Sequence, residues 1–371
     1  MTALGGTEIV LVTDRDLSQA GKGNVQRIQT LANVLANSGA DLRIVARRQY
    51  GLLSANREIA VAGDRFLGGD PAQFDSGPFR EALLRLDPAP DVAIAEYAWL
   101  APALRGLPQS TARLVDLHDI LHSRCAVMRA AGLDPWVECG AKEEAALLAD
   151  AHGLIAITDL DAELARSYLS GRHQAVSVVT HACVDLQPQP PSAGHTLLFV
   201  GSNHAGNLGI AEFVRHCFPP IRARFAQARL EIAGSICDAP ELRALPPDAG
   251  VTLHGYVGNL VPLYRAAALV VAPIRHGSGL KIKTVEALAH GRTVASLPAG
   301  IAGMSAAVEP WICSEDWPSL SLAILALLGD ADERHRRERR AVGYVREMHG
   351  ATAICRQLLE IIQQSRQGFS K

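Results

Sequence analysis

One segment of this 371-residue chain limits its fold more than any other, residues 268–300. An apolar run that stops at Pro273 is followed by a loop with two glycines. A helical pattern then begins near Lys281 and ends at Gly291, and a second apolar run comes next. Strand, glycine loop, helix and strand in this order are typical of a parallel α/β sheet. The loop and the two lysines at the helix start favour a phosphorylated ligand, because free backbone N–H groups meet positive charge there.

The same segment resembles the donor-binding motif of glycosyltransferase family 4, also called glycosyl transferases group 1. Many members carry the pattern Gly-x-Gly-x-(Arg/Lys)-x-Lys-x-x-Glu-Ala, represented here by Gly277, Gly279, Lys281, Lys283, Glu286 and Ala287. The resemblance implies that the lysine faces the nucleotide pyrophosphate and that the glutamate binds the ribose hydroxyls. Elementary chemistry agrees, since an ammonium suits phosphate and a carboxylate accepts from two vicinal hydroxyls.

The motif departs from the family pattern at one position. Many members have a second glutamate eight residues before the last one, and this chain has Ser278 there. We interpret the difference as a subfamily variant, because the glycine loop, the lysines and Glu286 remain.

A second segment follows another strand and completes the donor site that the resemblance implies. Residues 198–200 are apolar and lead into a glycine turn at 201–203, where backbone N–H groups suit an anion. A plain tight turn is the structural alternative for that segment, and a solvated loop is the alternative for Arg275. The residues assigned to donor binding are Gly201, Ser202, Asn203, Arg275, Gly277, Ser278, Gly279, Leu280, Lys281, Lys283 and Glu286.

The length and the alternation of strands and helices predict two α/β domains. A proline-rich stretch at 187–195 interrupts the alternation, as an interdomain linker does. We therefore expect a Rossmann-like acceptor-side domain at 1–186, a linker at 187–195, a nucleotide-sugar domain at 196–350 and a C-terminal helix and tail at 351–371. The family resemblance implies the GT-B fold, in which the two Rossmann-like domains face each other across a cleft. It also implies that the C-terminal helix crosses back to the N-terminal domain.

Polar residues of the first domain follow predicted strands or the first glycine loop. In an open α/β sheet such positions lie beside the ligand crevice. The resemblance implies an active-site histidine at a strand end, and we assign His118 as the catalytic residue. A capping or core-edge histidine is its structural alternative. The residues assigned to the acceptor side of the cleft are Gly23, Arg27, Glu96 and Asp119.

Composition excludes several other classes of function. A formal net charge of −2 gives no reason to expect nucleic acid as a partner. No apolar stretch is long enough to span a membrane, and no leader pattern follows Met1, so we expect a cytoplasmic protein. The seven dispersed cysteines indicate a reducing compartment rather than a metal site.

We expect a retaining glycosyltransferase that moves a sugar from a nucleotide-diphosphate sugar to an acceptor hydroxyl, without cofactor or required metal. The acceptor is a carbohydrate, a lipid or a small molecule, and a lipid acceptor would bring peripheral membrane contact. Two alternatives remain. One is a non-catalytic GT-B-like binding partner, which Ser278 favours. The other is a nucleotide-sugar epimerase, which would need a pair of acid/base carboxylates that the sequence does not display.

Overall fold

The computed structural model describes residues 4–19, 23–168, 175–183, 186–277 and 279–367. The chain forms two compact units. The first unit contains Met1–Ala182 together with Ala351–Lys371, and the second contains Cys183–Gly350. Ser278 of the expected donor loop lies outside the described residues.

The first unit is built on a parallel sheet with the strand order β3-β2-β1-β4-β5-β6-β7. Its central strands are buried apart from the first residue of β1, because helices cover both faces of the sheet. The strands are β1 Glu8–Thr13, β2 Asp41–Ala46, β3 Glu58–Ala60, β4 Val92–Glu96, β5 Ala112–Asp116, β6 Gly153–Ala156 and β7 Ala175–Val178.

The second unit repeats this architecture with a six-stranded parallel sheet in the order β10-β9-β8-β11-β12-β13. Its strands are β8 Thr196–Val200, β9 Arg229–Ala233, β10 Val251–Gly255, β11 Leu269–Ala272, β12 Val294–Ser296 and β13 Ile312–Cys313. Both sheets are therefore doubly wound, and the α/β class predicted from the sequence is confirmed.

Helices connect successive strands in each unit. The helices of the first unit are α1 Gly23–Asn37, α2 Gly77–Leu84, α3 Leu121–Ala130, α4 Ala141–Leu147 and α5 Asp159–Tyr168. Those of the second unit are α6 Gly209–His216, α7 Phe218–Arg224, α8 Pro240–Arg243, α9 Val261–Ala266, α10 Ile282–Ala289, α11 Trp317–Gly329 and α12 Ala331–Met348. The last helix, α13 Ala351–Gln367, belongs to the first unit.

Helix α13 returns to the first unit because its apolar face fits the sheet there. Ile354, Leu358 and Ile361 are fully buried in the same cluster as Leu114 of β5 and Ile155 of β6. The contact is close enough that a Cβ at Gly153 would overlap the hydroxyl of Ser365. Burying such an amphipathic face stabilises the helix far more than its intrinsic propensity does.

Two short edge strands were not expected from the sequence. The strands β3 and β13 were not predicted, since two or three residues carry no usable periodicity.

Residues 187–195, the proposed linker, are held against the second unit by hydrogen bonds. The amide of Gln189 donates to the carbonyl of His290 at 3.0 Å, and the guanidinium of Arg292 donates to the carbonyl of Pro190 at 2.8 Å.

Among the described residues, none of the helices combines the length and the apolar content that crossing a bilayer requires.

Candidate functional site

The second unit has its topological switch point between β8 and β11. From β8 the sheet continues to β9 and β10 on one side and to β11, β12 and β13 on the other. Loops that follow neighbouring strands separate at such a point and leave a crevice beyond the carboxyl ends of the strands. The expected donor residues lie here, since Gly201 directly follows β8 and Arg275 follows β11 by three residues.

The two loops at this switch point approach each other through glycines. A Cβ at Gly209 would overlap the carbonyl of Pro273, and a Cβ at Gly206 would lie 3.1 Å from the carbonyl oxygen of His276. Any side chain at Gly209 would force the loops apart. The glycines thus allow the backbone after β8 and the backbone after β11 to form one surface.

Lys283, in the first turn of α10, connects its helix to the loop after β8. Its Nζ donates a hydrogen bond to Oδ1 of Asn207, and Nδ2 of Asn207 donates to the carbonyl of Ser202 at 2.8 Å. The same Nζ lies 4.8 Å from the centroid of the Phe199 ring. Burial, followed by the charge of Lys281, lowers the pKa of Lys283 from 10.5 to about 7. An anion placed here would compensate this desolvated ammonium.

Glu286 lies one helical turn beyond Lys283, so the two side chains share a face of α10. Burial raises the pKa of this carboxyl group. Tyr264 is its buried neighbour: burial and the charge of Glu286 both raise the pKa of the Tyr264 phenol. The phenol oxygen has no hydrogen-bond partner among the described residues. A carboxylate and a phenol near a lysine offer groups that can bind hydroxyls beside a phosphate site.

The other expected donor residues are distributed around this centre. Lys281 Nζ donates to the carbonyl of Gly279 at 2.7 Å, so it folds over its own loop. Arg275 pairs with Glu212 of α6 at 2.6 Å, on the partly exposed rim. The amide of Asn203 donates to Ser235 at 2.9 Å. Leu280 is buried and Gly277 has a φ of 144°.

The first unit has its switch point between β1 and β4, where a buried polar cluster lies after the strands. Glu96 is the last residue of β4 and has no solvent exposure. Its Oε2 lies 2.6 Å from Nε2 of His118, which follows β5 by two residues. The sequence-based assignment of His118 and Glu96 to one end of the sheet therefore corresponds to direct contact between them.

Arg27 supports this cluster from α1. Its guanidinium donates to both carboxylate oxygens of Asp116, each at 2.8 Å, and to the carbonyl of Val179 at 2.9 Å. Both side chains of the ion pair are buried. This differs from the expectation that Arg27 lines the cleft. A guanidinium beside a strand-end carboxylate makes a bidentate pair with it rather than remaining open to a ligand.

Three aromatic residues of the first unit have backbone conformations rare outside glycine. Among the described residues, Tyr97, His118 and Trp136 are the non-glycine positions with positive φ, at 78°, 56° and 64°. The rings of Tyr97 and His118 stack at 4.0 Å, and Tyr97 stacks on Trp99 at 4.2 Å. Trp136 meets Trp99 edge-on at 6.2 Å. Such strained conformations persist where the surroundings fix them, and they concentrate at functional sites.

Two further expected residues lie beside the cluster without joining it. Asp119 accepts a hydrogen bond from Arg124 at 2.8 Å, and its second oxygen has no partner among the described residues. Gly23 is the first residue of α1, next to residues 20–22, which lie outside the described part.

One ligand atom each from Glu96, Asp116 and His118 lies within 4.8 Å of the others, a spacing that a metal ion could use. The donor set fits a cation poorly, however. Arg27 already occupies both oxygens of Asp116 and would place a second positive charge beside the metal. The arrangement is instead that of a buried ion pair joined to a carboxylate–imidazole pair.

Three members of these clusters were not assigned from the sequence: Asn207, Asp116 and Tyr97. Asn207 and Asp116 belong to segments that the sequence analysis recognised. Their roles were not predicted because their hydrogen-bond partners lie far away along the chain. The signal for Tyr97 was its place directly after a buried strand, beside Trp99 in the run Glu-Tyr-Ala-Trp.

Comparison with known proteins finds a family match within the second unit and solved structures that share the fold of the whole chain. Residues 194–330 match the family model described as glycosyl transferases group 1. No curated protein sequence matches the chain. Many solved structures are similar. Sucrose-phosphate synthase from Thermosynechococcus elongatus is 18% identical, with a TM-score of 0.70 over 96% of this chain and 98% of that one.

Two other solved structures extend over nearly the whole chain. A glycosyltransferase from Rickettsia africae is 11% identical, with a TM-score of 0.70 over 97% of this chain and 98% of that one. HepE from Anabaena, in complex with UDP, is 13% identical, with a TM-score of 0.68 over 96% of this chain and 100% of that one. The predicted GT-B fold is thereby confirmed.

Proposed function

We propose that this chain, whose two units have the GT-B fold and whose residues 194–330 match glycosyl transferases group 1, transfers a sugar from a nucleotide-diphosphate sugar to an acceptor hydroxyl. The observation that carries the proposal is the contact of Lys283 with Asn207 at the switch point of the second unit. It places a desolvated ammonium beside the glycine turn after β8, where backbone N–H groups can bind phosphate oxygens.

The donor is proposed to bind to the second unit alone. Lys283 and Lys281 would contact the diphosphate, and Glu286 would accept hydrogen bonds from the ribose hydroxyls. Uridine is the first base to test, because HepE from Anabaena has been solved with UDP and with UDP-glucose. Ser278 replaces a glutamate of the family pattern, so the sugar would make a different contact at that point.

In the proposed reaction the bond between the anomeric carbon and the diphosphate oxygen breaks, the bond between that carbon and the acceptor oxygen forms, and the proton of the acceptor hydroxyl passes to the leaving diphosphate oxygen. The electron pair leaves with the diphosphate, whose growing negative charge Lys283 and Lys281 would stabilise. Fixed donors aimed at developing charge supply much of the rate enhancement in such sites. We propose retention of the anomeric configuration and no metal requirement, on the strength of the family resemblance. Proton NMR of the product anomer and activity in the presence of a chelator test these two points.

The acceptor is proposed to bind to the first unit, near His118. The partly exposed ring of Trp136, which meets Trp99 edge-on, suits a carbohydrate or another ring-bearing acceptor, since sugar C–H faces pack on aromatic faces. A cytoplasmic site of action is supported by the cysteines, which form no disulfide among the described residues.

Calorimetric titration with UDP, GDP and ADP, followed by their sugars, tests the donor site. We expect one base to bind clearly more tightly than the other two, and Lys283→Ala to weaken that binding. No binding of any of these nucleotides by the wild-type chain would overturn the proposal.

A non-catalytic binding partner is the second candidate, favoured by Ser278 in place of a glutamate. It predicts donor binding with neither transfer nor slow hydrolysis of the donor. Release of the nucleoside diphosphate from a bound donor sugar, followed over time, distinguishes the two candidates.

A further inference from the structure

We infer that Glu96 is a positioning residue for His118, which it holds in the tautomer that carries its proton on Nε2. The ring then presents Nδ1 as a hydrogen-bond acceptor. Only the expected effect of Glu96 on sugar transfer rests on the proposed function. The tautomer of His118 is a property of the chain without substrate.

The plane of the His118 ring is fixed first. Tyr97 directly follows Glu96 and stacks on the imidazole with the ring planes 14° apart. The Tyr97 ring is itself stacked on the buried Trp99, and its amide donates to the carbonyl of Asp116 at 2.8 Å. The platform beneath the imidazole is therefore rigid, and the ring can change only by turning over in its own plane.

Glu96 then fixes which nitrogen of the His118 ring faces the carboxylate. Its Oε2 lies 2.6 Å from Nε2, and Oε1 is buried without a hydrogen-bond partner among the described residues. A buried carboxylate that already has one oxygen without a hydrogen-bond partner is strongly destabilised if its other oxygen also loses its donor. An ionised carboxylate only accepts, so Nε2 must carry a proton. Turning the ring over would remove that donor from a fully buried group.

The charge of the pair is controlled by Arg27 and Asp116. Asp116 lies 3.8 Å from Nε2 of His118 and is paired through both oxygens with Arg27. The guanidinium offsets the carboxylate charge, so a second carboxylate can be buried beside it. Burial and the charge of Asp116 raise the pKa of Glu96, while His118 and Arg27 act in the opposite direction. Each of these contacts connects Glu96 to the imidazole or to the groups that permit its burial.

The consequence is that the two ring nitrogens of His118 have different roles. Nδ1 has no hydrogen-bond partner in the part of the chain that the structure describes. With the proton held on Nε2, Nδ1 of the neutral ring can accept a hydrogen bond from a substrate hydroxyl, and the opposite tautomer could only donate one. The orientation of a histidine by a carboxylate on its other nitrogen follows the same logic in catalytic and metal sites.

Nitrogen-15 NMR of the histidine rings, at a pH where His118 is neutral, tests the inference directly. The His118 signal is assigned among the 13 histidines by its loss in His118→Gln. We expect the wild-type ring to be protonated at Nε2. Glu96→Gln should keep this tautomer because the amide oxygen still accepts, whereas Glu96→Ala should give a mixture. Asp119→Asn is the matched control, since its carboxylate pairs with Arg124, and it should leave the tautomer unchanged.

A wild-type ring protonated at Nδ1, or an unchanged tautomer in a folded Glu96→Ala variant, would overturn the inference. If Glu96→Ala fails to fold, the wild-type spectrum decides alone. In steady-state transfer assays we expect Glu96→Ala to lower kcat by roughly 100-fold with little change in the donor KM, and Glu96→Gln to recover most of the loss. An absence of sugar transfer would refute the proposed function but leave the tautomer result standing.

Discussion

The ammonium group of Lys283 donates a hydrogen bond to the side-chain oxygen of Asn207, which lies 76 residues earlier in the chain. Asn207 in turn holds the carbonyl of Ser202, so one lysine fixes the loop after β8 against the start of α10. These two elements flank the switch point of the second sheet. A phosphate group bound there would replace the neutral amide as the partner of a desolvated cation, and this exchange motivates the first two predictions.

Lys283→Ala should weaken the binding of the preferred nucleoside diphosphate by about 10- to 150-fold. The range corresponds to the loss of one hydrogen bond to a charged group, about 1.5–3 kcal/mol. Isothermal titration calorimetry measures it. Lys142→Ala is the matched control, because it removes the same charge from an exposed position on α4 of the first unit. Equal affinities for the Lys283 and Lys142 variants would contradict the assignment.

The affinity for the donor sugar should fall as the pH rises above about 7. The pKa of Lys283 in the free protein is lowered to about 7, so the ammonium loses its proton in this range. A diphosphate binds the charged form, and the affinity then declines by at most about tenfold for each pH unit. UDP-glucose is the suitable probe if uridine is the preferred base, because its diphosphate has no ionisation near neutral pH. The slope should disappear in Lys283→Ala, and an equal slope in that variant would assign the titration to another group.

Glu286→Gln should distinguish the contribution of the ribose to binding from that of the phosphates. We expect this variant to bind the preferred nucleoside diphosphate about 5- to 30-fold more weakly, since two hydrogen bonds to a carboxylate become weaker bonds to an amide. Inorganic pyrophosphate should bind equally well to the variant and to the wild type, because it has no ribose. Competition titrations with both ligands measure the difference. Equal weakening for the two ligands would place Glu286 against the phosphates instead.

Arg27→Met should destabilise the first unit by about 3–5 kcal/mol, because it leaves the carboxylate of Asp116 buried without its cation. Urea unfolding, followed by the fluorescence of Trp99 and Trp136 with Trp311 and Trp317 replaced by Phe, reports on this unit alone. The double variant Arg27→Met/Asp116→Leu should recover most of the loss, since no unpaired charge then remains.

Arg57→Met removes an arginine from an exposed pair with Asp41 and serves as the matched control. We expect it to change the free energy of unfolding by less than about 1 kcal/mol. An equally small effect of Arg27→Met would contradict a stabilising role of the buried pair.

The sequence was most informative where function depends on residues close together in the chain. Glycine turns, a helix start with lysines and a glutamate one turn later are local patterns, and the structure places Lys283 and Glu286 on one face of α10. The main strands were readable because apolar runs between glycine and proline signals are typical of buried parallel strands. The edge strands β3 and β13 were not readable, since they are too short to show a pattern.

The role of Arg27 shows the limit of this kind of reading. Its position after the first strand predicted a residue that lines the crevice, but the side chain of Arg27 is buried. Whether an arginine faces a ligand or a carboxylate depends on what the neighbouring strands bring, and Asp116 lies 89 residues away.

The sequence by itself thus determined the α/β class, the two-unit organisation and the position of Lys283 and Glu286 on one face of a helix, because these follow from periodicity and local patterns. Only the tertiary structure decided which side chains of α13 are buried against the first sheet, that Asn207 accepts a hydrogen bond from Lys283, and that Glu96 contacts His118. Parallel sheets bring strand ends together across tens of residues, and the hydrogen bonds formed there depend on side-chain directions and burial that no local pattern encodes.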